Sequence, residues 1–380
     1  MKNSVYWRSQ KTKRTVFMVR VSRYLFANIV LAVCLSNAIP SVLAAPDTGK
    51  AQWREAAPLP YKVQEIYPVM YKRYIVVAGG LSPDVDDNRI GVSDRVVVYS
   101  LDNKQWFEGP RLPEPRHHPM LVVIKDRLLA FGGFTIDENV MWQNSTDVLE
   151  LVTNPKTTQT DSQHQKGGMT GNWKKIANMP TPLAETLGAV SGSQVHLVTG
   201  RSPLQSEQNS QWRDQTDVNT HLIFDVDTHS WSYGKEVPTA RNSACSVTVK
   251  DTIFTIGGRT VEGGNLATHE AYNMNSETWQ TFAPLPEAQG GIACAAVNEH
   301  IYVFGGEFFD NGGGVYSNVW EYSIASDTWQ ALSHMPKPRH GFGAIATEDG
   351  IFVIAGALEA GGNQTSNRMS IFLPSAHFSN

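Results

Sequence analysis

Six tryptophans, Trp53, Trp106, Trp173, Trp231, Trp279 and Trp329, each stand 26 residues before a Gly, Thr or Ala that is itself followed by glycine. The pairs are Gly79-Gly80, Gly132-Gly133, Thr199-Gly200, Gly257-Gly258, Gly305-Gly306 and Ala355-Gly356. An offset kept six times without a gap marks an internal repeat. It confines insertions to the stretch between each glycine and the following Trp.

Within a unit the Trp is followed by a Pro-containing turn such as Leu59-Pro60, Leu112-Pro113, Met179-Pro180, Leu285-Pro286 or Met335-Pro336. A small-residue strand comes next, as in Ala344-Ile345-Ala346, then an apolar strand that runs into the glycines, as in Ile301 to Phe304. A polar loop leads to a third strand with an aromatic residue seven before the next Trp: Tyr99, Phe224, Tyr272 and Tyr322. The Trp opens a fourth strand. Four short strands per ~50 residues, repeated, predict the blades of a β-propeller. One such sheet cannot bury both faces, but neighbouring sheets bury each other. A chain of 380 residues with 31 Gly, 10 Trp and 12 Tyr is turn-rich and aromatic-rich, as many short strands require.

The first Trp strand has no strands before it, and the last third strand, Arg368 to Leu373, has no Trp strand after it. The expected fold class is therefore all-β: a six-bladed propeller whose sixth blade combines the N-terminal strand at Trp53 with the C-terminal strands. No open sheet edge then remains in the ring.

Residues 1–44 read as a signal peptide. Lys2, Arg8, Lys11, Lys13, Arg14, Arg20 and Arg23 precede an uncharged apolar run from Tyr24 to Leu35 and the small-residue stretch Val42-Leu43-Ala44-Ala45. Cleavage after Ala44 places Val42 at the −3 position. An uncleaved anchor is the alternative, since Tyr24 to Ala45 carries no charge. The apolar run itself is shorter than the ~20 residues that span a bilayer. Residues 45–380 are then the propeller domain, and its compartment is the periplasm or the exterior. The formal charge is −4, but the first 45 residues hold seven bases and no acid, leaving 25 Lys and Arg against 36 Asp and Glu, about −11. A body so acidic has no electrostatic reason to bind nucleic acid, so no nucleic-acid partner is expected.

The turns after the fourth strands and the loops between second and third strands share one face around the central channel. Ten residues after each Trp lie Val63, Arg116, Leu183, Arg241, Gln289 and Arg339; 28 after lie Leu81, Phe134, Arg201, Arg259, Glu307 and Ala357. Arg116, Arg201, Arg241, Arg259 and Arg339 are thus expected at one mouth, with Glu307, Glu185, His117, His118 and His340 nearby. Guanidinium forks match carboxylates, so these residues read as a pocket for a small acid or acidic sugar. The alternative is structural: such arginines can satisfy turn carbonyls or pair with neighbouring acids. Phe134, Trp142, Trp212, Phe308 and Phe309 add aromatic loop residues that suit sugar stacking or a protein interface.

The diglycine, the aromatic, six residues and a Trp resemble the kelch repeat over about residues 53 to 373. Thr199-Gly200, Ala355-Gly356 and Leu151 depart from it, and the second unit carries a polar insertion at about 154–172 that reads as a mobile loop. Gly305-Gly306-Glu307 is also similar to a local pattern of the bacterial sialic acid mutarotases, exported six-bladed kelch propellers. That resemblance implies Glu307 as a catalytic proton acceptor, with arginines holding the sugar carboxylate. Two functions stand: a non-catalytic module binding a glycan, an acidic sugar or a protein at its mouth, and a mutarotase working at Glu307.

No cofactor is expected. Eleven His show no metal spacing, and the flanking domains of a copper-radical oxidase do not fit in this length. Cys245 and Cys294 fall 14 and 15 residues after their Trp. Pleat alternation should point them to opposite faces, so they are expected not to pair.

Overall fold

The computed structural model describes residues 51–85, 91–139, 141–153, 168–205 and 211–374. Residues 1–44, read above as a signal peptide, and most of the 154–172 insertion lie outside these residues.

The described chain is all β apart from two single 3-10 turns, Trp212–Asp214 and Asp310–Gly312. It forms six four-stranded antiparallel sheets. The first holds Val69–Tyr71, Tyr74–Ala78, Val96–Ser100 and Gln105–Glu108. The second holds Met120–Ile124, Arg127–Phe131, Asp147–Thr153 and Gly171–Asn178. The third holds Leu187–Ser191, Gln194–Val198, His221–Asp225 and Ser230–Tyr233. The fourth holds Cys245–Val249, Thr252–Ile256, His269–Asn273 and Thr278–Thr281. The fifth holds Ala293–Val297, His300–Phe304, Val319–Ser323 and Thr328–Ala331. The sixth takes Gly343–Thr347, Gly350–Ile354 and Met369–Leu373 from the C-terminal end and Gln52–Ala56 from the other.

The aromatic-to-Trp spacing becomes a cross-strand pair: Tyr99 faces Trp106, Phe224 faces Trp231, Tyr272 faces Trp279 and Tyr322 faces Trp329. Leu151 faces Trp173 in the second sheet, and Phe372 faces Trp53 in the sixth, with ring centroids 4.9 Å apart. Four of the indoles also donate to a carbonyl of the preceding unit: Trp106 to Ala57, Trp173 to Pro110, Trp279 to Lys235 and Trp329 to Ala283.

The second strands are apolar on both faces because each sheet is covered on both sides. Ile75 and Val77 pack with Phe352 and Ile354 of the sixth sheet, while Val76 and Ala78 pack with Leu128 and Ala130 of the second. This is a strand's period of two, shared between two neighbours.

The glycine pairs join unit to unit. The amide of the second glycine donates to a carbonyl ten residues past the next Trp: Gly80 to Arg116, Gly133 to Leu183, Gly200 to Arg241, Gly258 to Gln289, Gly306 to Arg339 and Gly356 to Val63, all at 2.8–3.0 Å. The first position of the pair takes a left-handed backbone in all six units, and four of them place glycine there. Gly305 has φ +56°, and a Cβ there would lie 2.4 Å from the carbonyl oxygen of Arg339. Thr199 occupies the same position at φ 54° and uses its hydroxyl instead, accepting from the Arg241 amide at 2.9 Å.

Cys245 and Cys294 form a disulfide with Cα atoms 5.8 Å apart, contrary to the expectation that they do not pair. The alternation argument compared register across two units and took opposite faces to preclude a bond. The two cysteines belong to the first strands of adjacent sheets, where residues on opposite faces look toward each other across the shared interface. A bond closing a 49-residue separation is worth about 4 kcal/mol by loop-closure entropy. Reduction should therefore lower the urea midpoint of the oxidised protein, and the Cys245→Ala, Cys294→Ala double variant should match the reduced wild type and lose its dependence on dithiothreitol.

Candidate functional site

Eleven residues after each Trp the turn bridges to the position 28 after it. The pairs are Gln64 with Leu81, His117 with Phe134, Ala184 with Arg201, Asn242 with Arg259, Gly290 with Glu307 and His340 with Ala357. One residue further on, the chain reverses into the first strand through a left-handed residue in every unit: Glu65, His118, Glu185, Ser243, Gly291 and Gly341, with φ from 51° to 70°. Four of the six are polar side chains in a conformation that usually selects glycine or asparagine.

These six turns meet at the axis. The His118 amide donates to the Glu65 carbonyl, Glu65 to Gly341, Gly341 to Gly291 and Gly291 to Ser243, at 2.6–3.1 Å. The Ser243 hydroxyl continues the circle by donating to Glu185 at 2.5 Å. These bonds draw the turns together around the axis and narrow the mouth. Beneath it remains a cavity of about 20 Å³ touching Glu65, Tyr67, His118 and Ser243, room for about one water molecule. Further in, the first strands of all six sheets line a channel cavity of about 390 Å³.

The charges around the ring satisfy one another. Arg201 pairs with Glu185 at 2.5 Å and Arg259 with Glu307 at 2.5 Å. His118 Nε2 lies 2.6 Å from Glu65, and His340 Nδ1 lies 3.4 Å from Glu307 and 3.9 Å from Glu65. The second oxygen of Glu307 accepts the Gly361 amide at 2.7 Å. Burial alone would raise the Glu65 carboxyl, but the His118 pair, with His340 and Arg259 behind it, holds it well below the usual carboxylate range. Burial likewise opposes ionisation of Glu185, and Arg201, His118, Arg259 and the Ser243 hydroxyl outweigh it. Burial and the adjacent His118 push His117 well below its ordinary value, so its ring is neutral. The Tyr67 phenol is driven up by burial and by Glu185 and Glu65.

The expected set of mouth residues divides in two. Arg201, Arg259, Glu185, Glu307 and His340 come together around this ring. Arg116, Arg241 and Arg339 do not, which corrects the expectation of five converging arginines. All three are at most 1% exposed and turned into their own sheets. Arg116 meets Glu114, Asp147 and the Gly132 carbonyl; Arg241 meets Glu270 and Thr255; Arg339 meets Ser370 and the carbonyls of Ala355 and Arg368. Glu65, Ser243 and Tyr67 were missed. The signal lay two residues beyond the arginine position, but nothing in a Glu or His announces a left-handed turn.

The rim above the ring is different. The loops between second and third strands carry Met141, Leu204 and Phe309, exposed at 39%, 59% and 61%. Phe309 lies against Arg259, whose guanidinium carbon is 5.5 Å from the ring centroid. Among the described residues no group of three or more His, Cys, Asp or Glu is placed to hold a metal ion, and no helix is long and apolar enough to cross a membrane.

Fold and repeat together define a kelch-type β-propeller. The chain belongs to the family described as the KLHDC2/KLHL20/DRC7 Kelch-repeats domain, which matches residues 186–377. It is similar to the Kelch-like protein terF of Aspergillus terreus, 24% identical over 209 residues, covering 54% of this chain and 40% of that protein. Human Kelch-like protein 38 is 27% identical over 220 residues, covering 58% of this chain and 32% of that protein. Beta-scruin of Limulus polyphemus is 26% identical over 170 residues, 44% of this chain and 16% of that protein. The alignments thus span less than half the length of each of these relatives. The solved structure of YjhT superposes with a TM-score of 0.66 at 16% identity, over 84% of this chain and 99% of that one, a likeness of fold.

The buried arginines generate a clear expectation. Arg241→Met removes the partner of Glu270, which is 3% exposed, and should cost about 3 kcal/mol or more in urea unfolding.

Proposed function

We propose that this chain is a closed six-bladed kelch propeller acting as a non-catalytic recognition module, with the rim of loops between second and third strands as its binding face and a protein as its partner. The pairing of Gln52–Ala56 with Met369–Leu373 and the bond from Gly356 to Val63 support closure of the ring. The observation that carries the function is the narrowed axis. A cavity of about 20 Å³ beneath interlocked ion pairs leaves no room for a sugar ring at the mouth, while three apolar side chains stand exposed on the loops above it. Apolar tips flanked by polar loops are the chemistry of a protein-binding surface.

The proposal places the protein in the periplasm or outside the cell, with residues 1–44 removed on export. The disulfide between Cys245 and Cys294 supports that setting, because such bonds persist in oxidising compartments.

The mutarotase reading keeps one observation in its favour: Glu307, Arg259 and His340 are in contact. Against it, Glu307 is 1% exposed and both its oxygens are occupied. Two experiments separate the readings. Immobilised mature protein should retain partners from an envelope extract that Leu204→Ser, Phe309→Ser protein does not, while Tyr233→Ser on an outer strand changes nothing. Proton NMR of freshly dissolved N-acetylneuraminate should show anomer equilibration no faster than in buffer. Acceleration abolished by Glu307→Gln would replace the recognition reading with the catalytic one.

A further inference from the structure

A cavity of about 630 Å³ lies away from the axis, where the two ends of the described chain meet. One wall is the end of the N-terminal strand with Glu55 and the turn after it with Lys62; the other is the loop before the last strand, with Gln364, Thr365, Asn367 and Arg368. Its volume is that of a site for a small organic ligand.

The charge in this cleft differs from that of its surroundings. The body is acidic, and the arginines and lysines that tie neighbouring sheets together are paired: Arg73 with Asp102 and Glu348, Lys104 with Asp349, Lys125 with Asp227 and Lys250 with Glu299. Lys62 has no side-chain partner among the described residues. Arg368 is 42% exposed at its side chain and has Glu55 at 3.7 Å, beyond hydrogen-bond length. Among the described residues, Lys62 and Arg368 line this cavity with Glu55; the Asp84 carboxylate accepts the Lys62 backbone amide at 2.9 Å and Glu359 accepts from Gln364, which leaves the Lys62 ammonium and the Arg368 guanidinium as the donors turned to the cleft.

The neutral groups add a second requirement. Thr365 accepts from the Gln64 amide at 2.9 Å, which leaves its hydroxyl hydrogen to donate. Asn367 donates to the Leu59 carbonyl at 3.0 Å, which leaves its side-chain oxygen to accept. A donor and an acceptor beside two cations suit a ligand with hydroxyls next to a carboxylate.

We infer that this cleft binds a small polyhydroxylated carboxylate, its anion held between Lys62 and Arg368 and its hydroxyls by Thr365 and Asn367. One wall belongs to the sixth sheet's loop between second and third strands, but the site uses none of Met141, Leu204 and Phe309 and does not depend on the protein-binding reading. Because Lys62 follows the N-terminal strand and Arg368 precedes the C-terminal one, a ligand between them braces the junction of the two ends. Binding to the folded state alone raises the melting temperature by mass action.

The test is thermal unfolding and isothermal titration calorimetry of the mature protein with sodium D-glucuronate. Sodium chloride at equal ionic strength and D-glucose serve as controls. Glucuronate should raise Tm and give a saturable heat, while glucose and sodium chloride should not. Lys62→Gln and Arg368→Gln should each weaken the affinity at least five-fold, and Leu204→Ser, Phe309→Ser should leave it unchanged. A Tm response to glucuronate no larger than that to sodium chloride would overturn the assignment. So would affinity that survives both charge-removing substitutions.

Discussion

Everything in this molecule hangs on six backbone hydrogen bonds that run from the second glycine of one unit to a carbonyl of the next. Each sheet is incomplete by itself, since its second strand is apolar on both faces. The glycine bonds set how closely neighbours approach and therefore whether those faces bury. In four of the six units the preceding position is glycine, and a Cβ at Gly79 or Gly132 would lie 2.2 Å from the carbonyl oxygen the bond reaches; Thr199 and Ala355 fill the same position with a side chain at φ 54° and 58°. The constraint is steric before it is energetic, which explains why the offset from Trp to glycine tolerates no insertion while the loops beyond it do.

The same register divides the polar residues between scaffold and axis. Ten residues after Trp, the carbonyl serves the neighbouring unit and the side chain turns back into its own sheet, so an arginine there is structural. Two residues later the backbone reverses through a left-handed turn, and the side chains of Glu65, His118, Glu185 and Ser243 meet at the centre. Buried charges are stable only when paired. The pairing reached here leaves a narrowed mouth in place of a pocket, and binding chemistry is displaced outward to the loop rim and to the cleft at the junction.

The all-β class, the short strands and their antiparallel grouping were legible from the Trp and glycine positions, because packing distance dictates that spacing. The aromatic positions that face Trp were legible as a spacing at Tyr99, Phe224, Tyr272 and Tyr322, whereas Leu151 read as a departure and Phe372 opposite Trp53 was not read. What failed were statements about side-chain direction. Arg116, Arg241 and Arg339 were placed at the mouth because turn residues were assumed to face it. They turn instead into their own sheets, where Asp147, Glu270 and Ser370 with nearby carbonyls accept their donors. The Cys245–Cys294 bond was missed because opposite faces were taken to preclude a bond, although opposite faces of adjacent sheets look toward each other. The insertion after Thr153 was expected to run to residue 172, but the fourth strand of that sheet already begins at Gly171.

The most direct measurement is amide hydrogen exchange of the mature protein, read at Gly80, Gly133, Gly200, Gly258, Gly306 and Gly356. A ring closed through its first and last units predicts slow exchange of comparable rate at all six, with Gly356 no weaker than the rest. Fast exchange at Gly356 beside protection at the other five would contradict closure, and with it the account of how the two ends of this chain are held.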